Sequence, residues 1–182
     1  METNYQNISL DALKVAVTQV GMKEDPIGSN WGKVVQGYLK CVGLTAPAAW
    51  CQAFAYWCYE KASLNAACKN PMVKTAGVLD CWHKTAENLK LHATEALARP
   101  DLVSAGDQII FKHAAGTGHT GIVECIERGA DGIWMAHTIE GNTNHDGSRE
   151  GYEVERKLRK LTDPHLVGFI CYHKKADDQP TI

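Results

Sequence analysis

Apolar residues recur at helical spacing through the first third of the chain and alternate with polar ones through the last third. Leu13, Ala16, Val17 and Val20 share one face of a helix that Ser9 is placed to cap and Gly21 to end. Residues 22–29, with Asp25-Pro26-Ile27-Gly28-Ser29, read as a loop. A second helix from near Asn30 carries Val34, Tyr38 and Val42, with Gly43 just past its end. Thr45-Ala46-Pro47 interrupts the chain. A third helix is predicted over Trp50 to Ala62, with Trp50, Phe54, Trp57 and Cys58 as its buried stripe.

Residues 63–105 are mixed: Val78 to Leu91 is helical in part, and Arg99-Pro100 is a break. After Gly106 the period changes from 3.6 to 2. Asp107–Lys112, His119–Glu127, Gly132–Glu140, Tyr152–Arg159 and Leu166–His173 read as short strands. Short links between them imply an antiparallel sheet with sequential neighbours. Helices first and strands after give an α+β fold. No repeat or linker divides residues 1–182, which read as one domain with a frayed tail over 174–182.

Composition narrows the function classes. The chain has 182 residues, 45 % apolar and 22 % charged, enough to bury a sizeable core. Its formal net charge of −2 gives no basic excess to hold nucleic acid or acidic lipid. Every apolar run falls well short of the ~20 residues of a membrane span. The N-terminus is polar and acidic, with no basic residue before Lys14, unlike a secretory signal. Synthesis in the cytoplasm and exit by another route are therefore expected.

Seven cysteines are scattered, and none has the close pairing of a structural zinc site. Cys51 alone starts an amphipathic helix, where unpaired N–H groups and the dipole favour a thiolate. Cys58, Cys125 and Cys171 fall on apolar stripes or strands and are expected in the core; Cys68 and Cys81 are the rivals. A thiolate nucleophile needs an imidazole, and of eight histidines His119 opens a strand between small residues that leave room for a substrate. If residues 128–131 form the hairpin loop, Glu127 pairs with Gly132 and His119 lies directly opposite Glu140. Glu140 is then placed to orient the ring, as the acid of a triad does. Asn142 shares that face if the strand continues, whereas His137 points away.

The segments Ala49-Trp50-Cys51-Gln52-Ala53-Phe54, Gly106-Asp107-Gln108-Ile109-Ile110-Phe111, Gly118-His119-Thr120-Gly121-Ile122-Val123-Glu124 and Ile139-Glu140-Gly141-Asn142-Thr143-Asn144, in that order, resemble the CHAP family of cysteine- and histidine-dependent amidohydrolases and peptidases. Asp25–Gly32 and Asn70–Trp82 add to the resemblance, which covers about residues 20–173. It implies a papain-like fold and cleavage of amide bonds in peptidoglycan, next to N-acetylmuramate or within the stem peptide and cross-bridge. By position it implies Cys51 as nucleophile, His119 as general base, Glu140 as orienting acid and Asn142 as a polar aid at the oxyanion. No cofactor is implied. Some members hold calcium before the nucleophile, but only Glu24 and Asp25 stand there. Asn142-x-Asn144-x-Asp146-Gly147 with Glu153 only approximates an EF-hand loop, so no metal site is expected. Ser148-Arg149-Glu150 either borders the substrate groove or is a solvated turn.

The expected partner is peptidoglycan or a muropeptide, with no nucleic acid and no membrane insertion. Action at the wall or in the periplasm fits a phage-type lysin or an injected antibacterial effector; the second implies a cognate immunity protein. A papain-like peptidase or deamidase acting on protein is the alternative enzyme. A non-catalytic wall-binding module is the alternative without chemistry.

Overall fold

The computed structural model describes residues 5–113, 116–143 and 151–176. Three helices, α1 (Tyr5–Val17), α2 (Lys33–Cys41) and α3 (Cys51–Asn65), come first. The middle segment holds α4 (Val78–Lys84), a short strand β1 (Lys90–His92) and α5 (Ala93–Ala98). The sheet is completed by β2 (Gln108–Lys112), β3 (Gly118–Arg128), β4 (Trp134–Thr143), β5 (Glu153–Lys160) and β6 (Leu166–Ile170). All pairings are antiparallel, in the order β1-β6-β2-β3-β4-β5, so the fold is α+β as expected.

Four local expectations are corrected. Ser9 does not cap α1; it lies inside the helix, buried, and its hydroxyl accepts a hydrogen bond from Tyr59. β1 and α5 interrupt a segment whose short, mixed pattern hid them. β6 does not pair with its predecessor β5 but crosses to β2, with β1 on its far side. The chain after β6 turns into a 3-10 helix at Tyr172–Ala176.

Two cores sandwich the sheet. On the helical side, Ile110, Ile122 and Ile139 pack with Tyr38, Trp50 and Phe54. On the other, Ile109, Phe111, Val123 and Ala136 pack with Leu91 and Phe169. Successive residues of β2 and β3 enter opposite cores, as strand alternation dictates. Tyr38 anchors the helical layer, with ring centroids 5.6 Å from Trp50, 5.4 Å from Phe54 and 5.1 Å from Trp57.

Gly141 lets β4 lie against the start of α3. A Cβ there would sit 2.7 Å from Trp50 Cζ3 and 2.8 Å from Phe54 Cβ, too close for either ring to yield in a packed core. Gly141→Ala should therefore destabilise the fold by about 1–3 kcal/mol. Urea unfolding checks this, and an unchanged midpoint would show that the helix-to-sheet contact is loose.

Candidate active site

Cys51 is the first residue of α3, after Trp50 at the N-cap. No side chain caps this helix from the N-cap position, and its first turn carries no acidic residue, so neither quenches the positive end of the dipole. The rest of Trp50 is tied down. Its backbone N–H donates to Asn142 Oδ1 at 2.9 Å, and its indole Nε1 donates to Glu24 Oε1 at 2.8 Å. The second oxygen of Glu24 accepts the Asn30 N–H at 2.9 Å. Glu24, one of the two acidic residues weighed for a cation, is thus committed to holding the start of α3. Among the described residues no cluster of three or more His, Cys, Asp or Glu side chains could hold a metal ion.

The structure brings Cys51, His119 and Glu140 together. His119 Nε2 lies 2.7 Å from Glu140 Oε2, and the Cys51 side chain is the ring's other hydrogen-bond partner. The ring keeps 17 % of its side-chain surface, while Glu140 has none. Burial pulls the His119 pKa down, but the ring's hydrogen bonds to Cys51 and Glu140 and their charges outweigh it and raise it to about 10. Burial pushes Glu140 up, yet Arg159 and His119 overcome it and hold the carboxyl well below its ordinary range.

The contact is made by a different route from the one expected. The hairpin loop has five residues, 129–133, and Arg128 pairs with Trp134. A register shift between Val123 and Cys125 then sets Ile122 opposite Ile139, which puts Gly121, not His119, beside Glu140. A Cβ on Gly121 would lie 2.5 Å from Glu140 Cγ. The missing side chain lets Glu140 lean diagonally along the strand to His119, within reach of a long side chain. The small residues around His119 therefore make room for protein rather than substrate: Gly118, likewise, faces Val78 of α4.

Asn142 stands at a positive φ of 55° beside a break in the β4–β5 register. Besides accepting from Trp50, its amide donates to the carbonyl of Gly151 and to Asn30 Oδ1. Its hydrogen bonds all go to protein groups around the helix start. His137 lies away from the dyad, 2.7 Å from Glu127. Residues 144–150, which include Ser148-Arg149-Glu150 and the middle of the EF-hand-like stretch, lie outside the described residues, as does the tail from 177; of that stretch's ends, Asn142 is bonded as above and Glu153 pairs with Lys23.

Sequence reasoning missed two sets of partners. Arg159 of β5 donates to Glu140 through Nε at 2.8 Å and through Nη2, and Thr138 Oγ1 donates at 2.7 Å. The signal was a basic residue on an alternating strand, but choosing it required the β4–β5 register. Beneath the dyad, Gln108 Nε2 donates to Gln52 Oε1 at 2.8 Å and to Thr120 Oγ1 at 3.0 Å. All three are fully buried, and they link the residue after Cys51 to the residue after His119.

Residues 43–142 match the family model of the CHAP domain, more than half of the chain. The chain belongs to the CHAP family. No curated protein and no solved structure matches it significantly. The CHAP match spans Cys51, His119, Glu140 and Asn142 and identifies the protein with a family of amidohydrolases and peptidases. Among the described residues, no helix is long and apolar enough to cross a membrane.

The seven cysteines of this CHAP domain differ in setting. Cys58, Cys81 and Cys171 are buried, and burial raises each thiol's pKa. Cys125, expected in the core, is exposed because it follows the register break; residual burial and the charges of Glu127 and Glu124 raise its pKa. Substoichiometric iodoacetamide near pH 6 should label Cys51 before Cys125 and Cys68. Peptide mapping that found Cys125 or Cys68 labelled first would remove Cys51 as the reactive thiol.

Proposed function

We propose that this CHAP domain hydrolyses amide bonds of bacterial peptidoglycan through a Cys51 thiolate. The observation that carries the reading is the alignment of Cys51, His119 and buried Glu140 at the uncapped start of α3. Cys51 Sγ attacks the amide carbon, and negative charge gathers on the carbonyl oxygen. The N–H groups of the first helical turn are the donors at hand for that oxygen. The C–N bond then breaks, and the departing amine takes the proton held by His119. This leaves a thioester on Cys51. Water attacks it while His119 takes one of its protons, and the carboxylic acid leaves with the thiolate and the protonated ring restored.

In this scheme Glu140 orients the ring and balances the imidazolium. Asn142 acts by fixing the Trp50 backbone and hence the pose of Cys51. Family membership and the wall-lysin likeness of the loop over Asp25–Gly32 support peptidoglycan as substrate. Such a substrate puts the site of action at the wall or in the periplasm, after release as a lysin or injection as an effector.

Cys51→Ala and His119→Ala should each lower degradation of purified peptidoglycan by about 10³-fold or more, and the double variant should lose little beyond either. Mass spectrometry of the released muropeptides identifies the bond by its new termini. Intact peptidoglycan after exposure to wild-type protein, together with cleavage or deamidation of a protein substrate, would transfer the activity to the other enzyme class. Binding of wild-type protein to peptidoglycan without any cleavage would leave a wall-binding module.

The pH profile follows from the raised His119 value. A group raised in this way stays protonated until pH climbs through about 10. Turnover should therefore persist across neutral pH and fall on the alkaline side near 10, as the acid for the leaving amine is lost. An alkaline limit near the ordinary imidazole range would show that Glu140 and Cys51 do not hold the proton in place.

A further inference from the structure

Glu140 faces two cations, and only His119 belongs to the dyad. Arg159 lies beyond the 43–142 family match. In the β4–β5 register it stands opposite Ala136, whereas the partner of Glu140 is Glu155. Its long side chain runs back along the strand to the carboxylate, where Nε reaches Oε1 and Nη2 reaches Oε2. The small, fully buried Ala136 leaves that path open. The guanidinium also covers the Phe111 ring, 5.3 Å from its centroid, and Phe111 is the register partner of His119.

A buried carboxylate beside a lone imidazole can take the shared proton itself, because a dry interior favours the neutral pair. A guanidinium does not give up its proton. Its fixed charge on both oxygens leaves the carboxylate ionised, so the proton stays on the ring. We propose that Arg159 is a positioning residue acting through Glu140: it keeps that carboxylate ionised and aimed, so that His119 holds the proton and remains the counter-ion of Cys51. This role rests on the reading of Cys51 and His119 given above.

Other charged or titratable groups surround the unit. Asp163 faces Arg159; His113 and His165, with rings 5.1 Å apart, lie toward His119; Glu155 and Lys157 share the strand face of Arg159. All are retained in the variants below, so a change seen on substitution reports on Arg159.

The test is the rate of Cys51 labelling by iodoacetamide from pH 6 to 9, read by peptide mapping, which needs no substrate. Wild-type labelling should be nearly level. Arg159→Met should slow it about tenfold or more at pH 6, a unit's worth of proton occupancy, and approach wild type by pH 9. Arg159→Lys, which returns charge without the fork, should recover part of the loss. On a Glu140→Gln background, Arg159→Met should change nothing further, since the group it acts through is gone. That pair also removes the buried charge with its partner, so it carries the comparison if Arg159→Met alone fails to fold. Wild-type labelling of Arg159→Met at pH 6, an equal loss at every pH, or a further loss on the Glu140→Gln background would each overturn the role. A wild-type protein in which Cys51 is not the thiol labelled first refutes the nucleophile reading itself, and this role with it.

Discussion

A carboxylate with no exposed surface sits at the centre of this molecule, and most of what surrounds it exists to keep it charged. Taking an ion out of water costs several kcal/mol unless its lone pairs are filled by well-placed donors. Glu140 meets that demand with His119, Thr138 and both arms of Arg159. Each donor comes with a structural condition. His119 must be reached diagonally, so Gly121 carries no side chain. Arg159 must extend along β5, so the residue opposite it is small. Strand register, glycine placement and the charge state of the imidazole are thus consequences of one buried group.

A second brace works on the side of Cys51. Trp50 is held by Glu24 through its indole, by Asn142 through its backbone and by Tyr38 through ring stacking. These contacts fix where α3 begins without a side-chain cap on its first turn. The helix is therefore oriented by the residue before Cys51 rather than by one that would compete for the amides after it. The two braces meet at the end of β4, where Glu140 holds His119 and Asn142, two residues on, holds the start of α3.

Much of this was legible in the sequence, for physical reasons that differ by element. The alternation of β2 and β3 is a strong periodic signal and the α+β order could be read directly; α3 was legible as a helix but not as a stripe, since Cys51 to Tyr56 are all buried while Trp57, expected in the stripe, is part-exposed. The residues of the dyad followed from chemistry: one cysteine at a helix start, one histidine at a strand start. The pairing of His119 with Glu140 was reached through a register that the structure does not have. Two departures, a longer hairpin loop and a shift near Glu124, displaced the strands, and Gly121 restored the contact. Arg159 and the Gln52–Gln108–Thr120 cluster were not legible, because each joins segments far apart in sequence through contacts that no local period encodes. The burial of Cys125 was misjudged for the same reason, since the register shift beside it broke the alternation on which that expectation stood.

The place of β5 in the sheet carries a thermodynamic consequence. It is the last strand of the sheet; its first residues, Glu153 and Val154, also bond to residues 21–23, but the stretch that carries Arg159 pairs among the described residues with β4, and it delivers the guanidinium that Glu140 depends on. Edge elements open at lower free energy than the strands between two neighbours. Fraying of β5 would strip the carboxylate of its permanent counter-charge while α3, β2 and β3 remained folded. Amide hydrogen exchange would then resolve two levels of protection, and the lower one would give the fraction of molecules in which Glu140 has lost its guanidinium partner. Opening of that one strand would cost Glu140 its counter-charge at a free energy below that of unfolding the whole molecule.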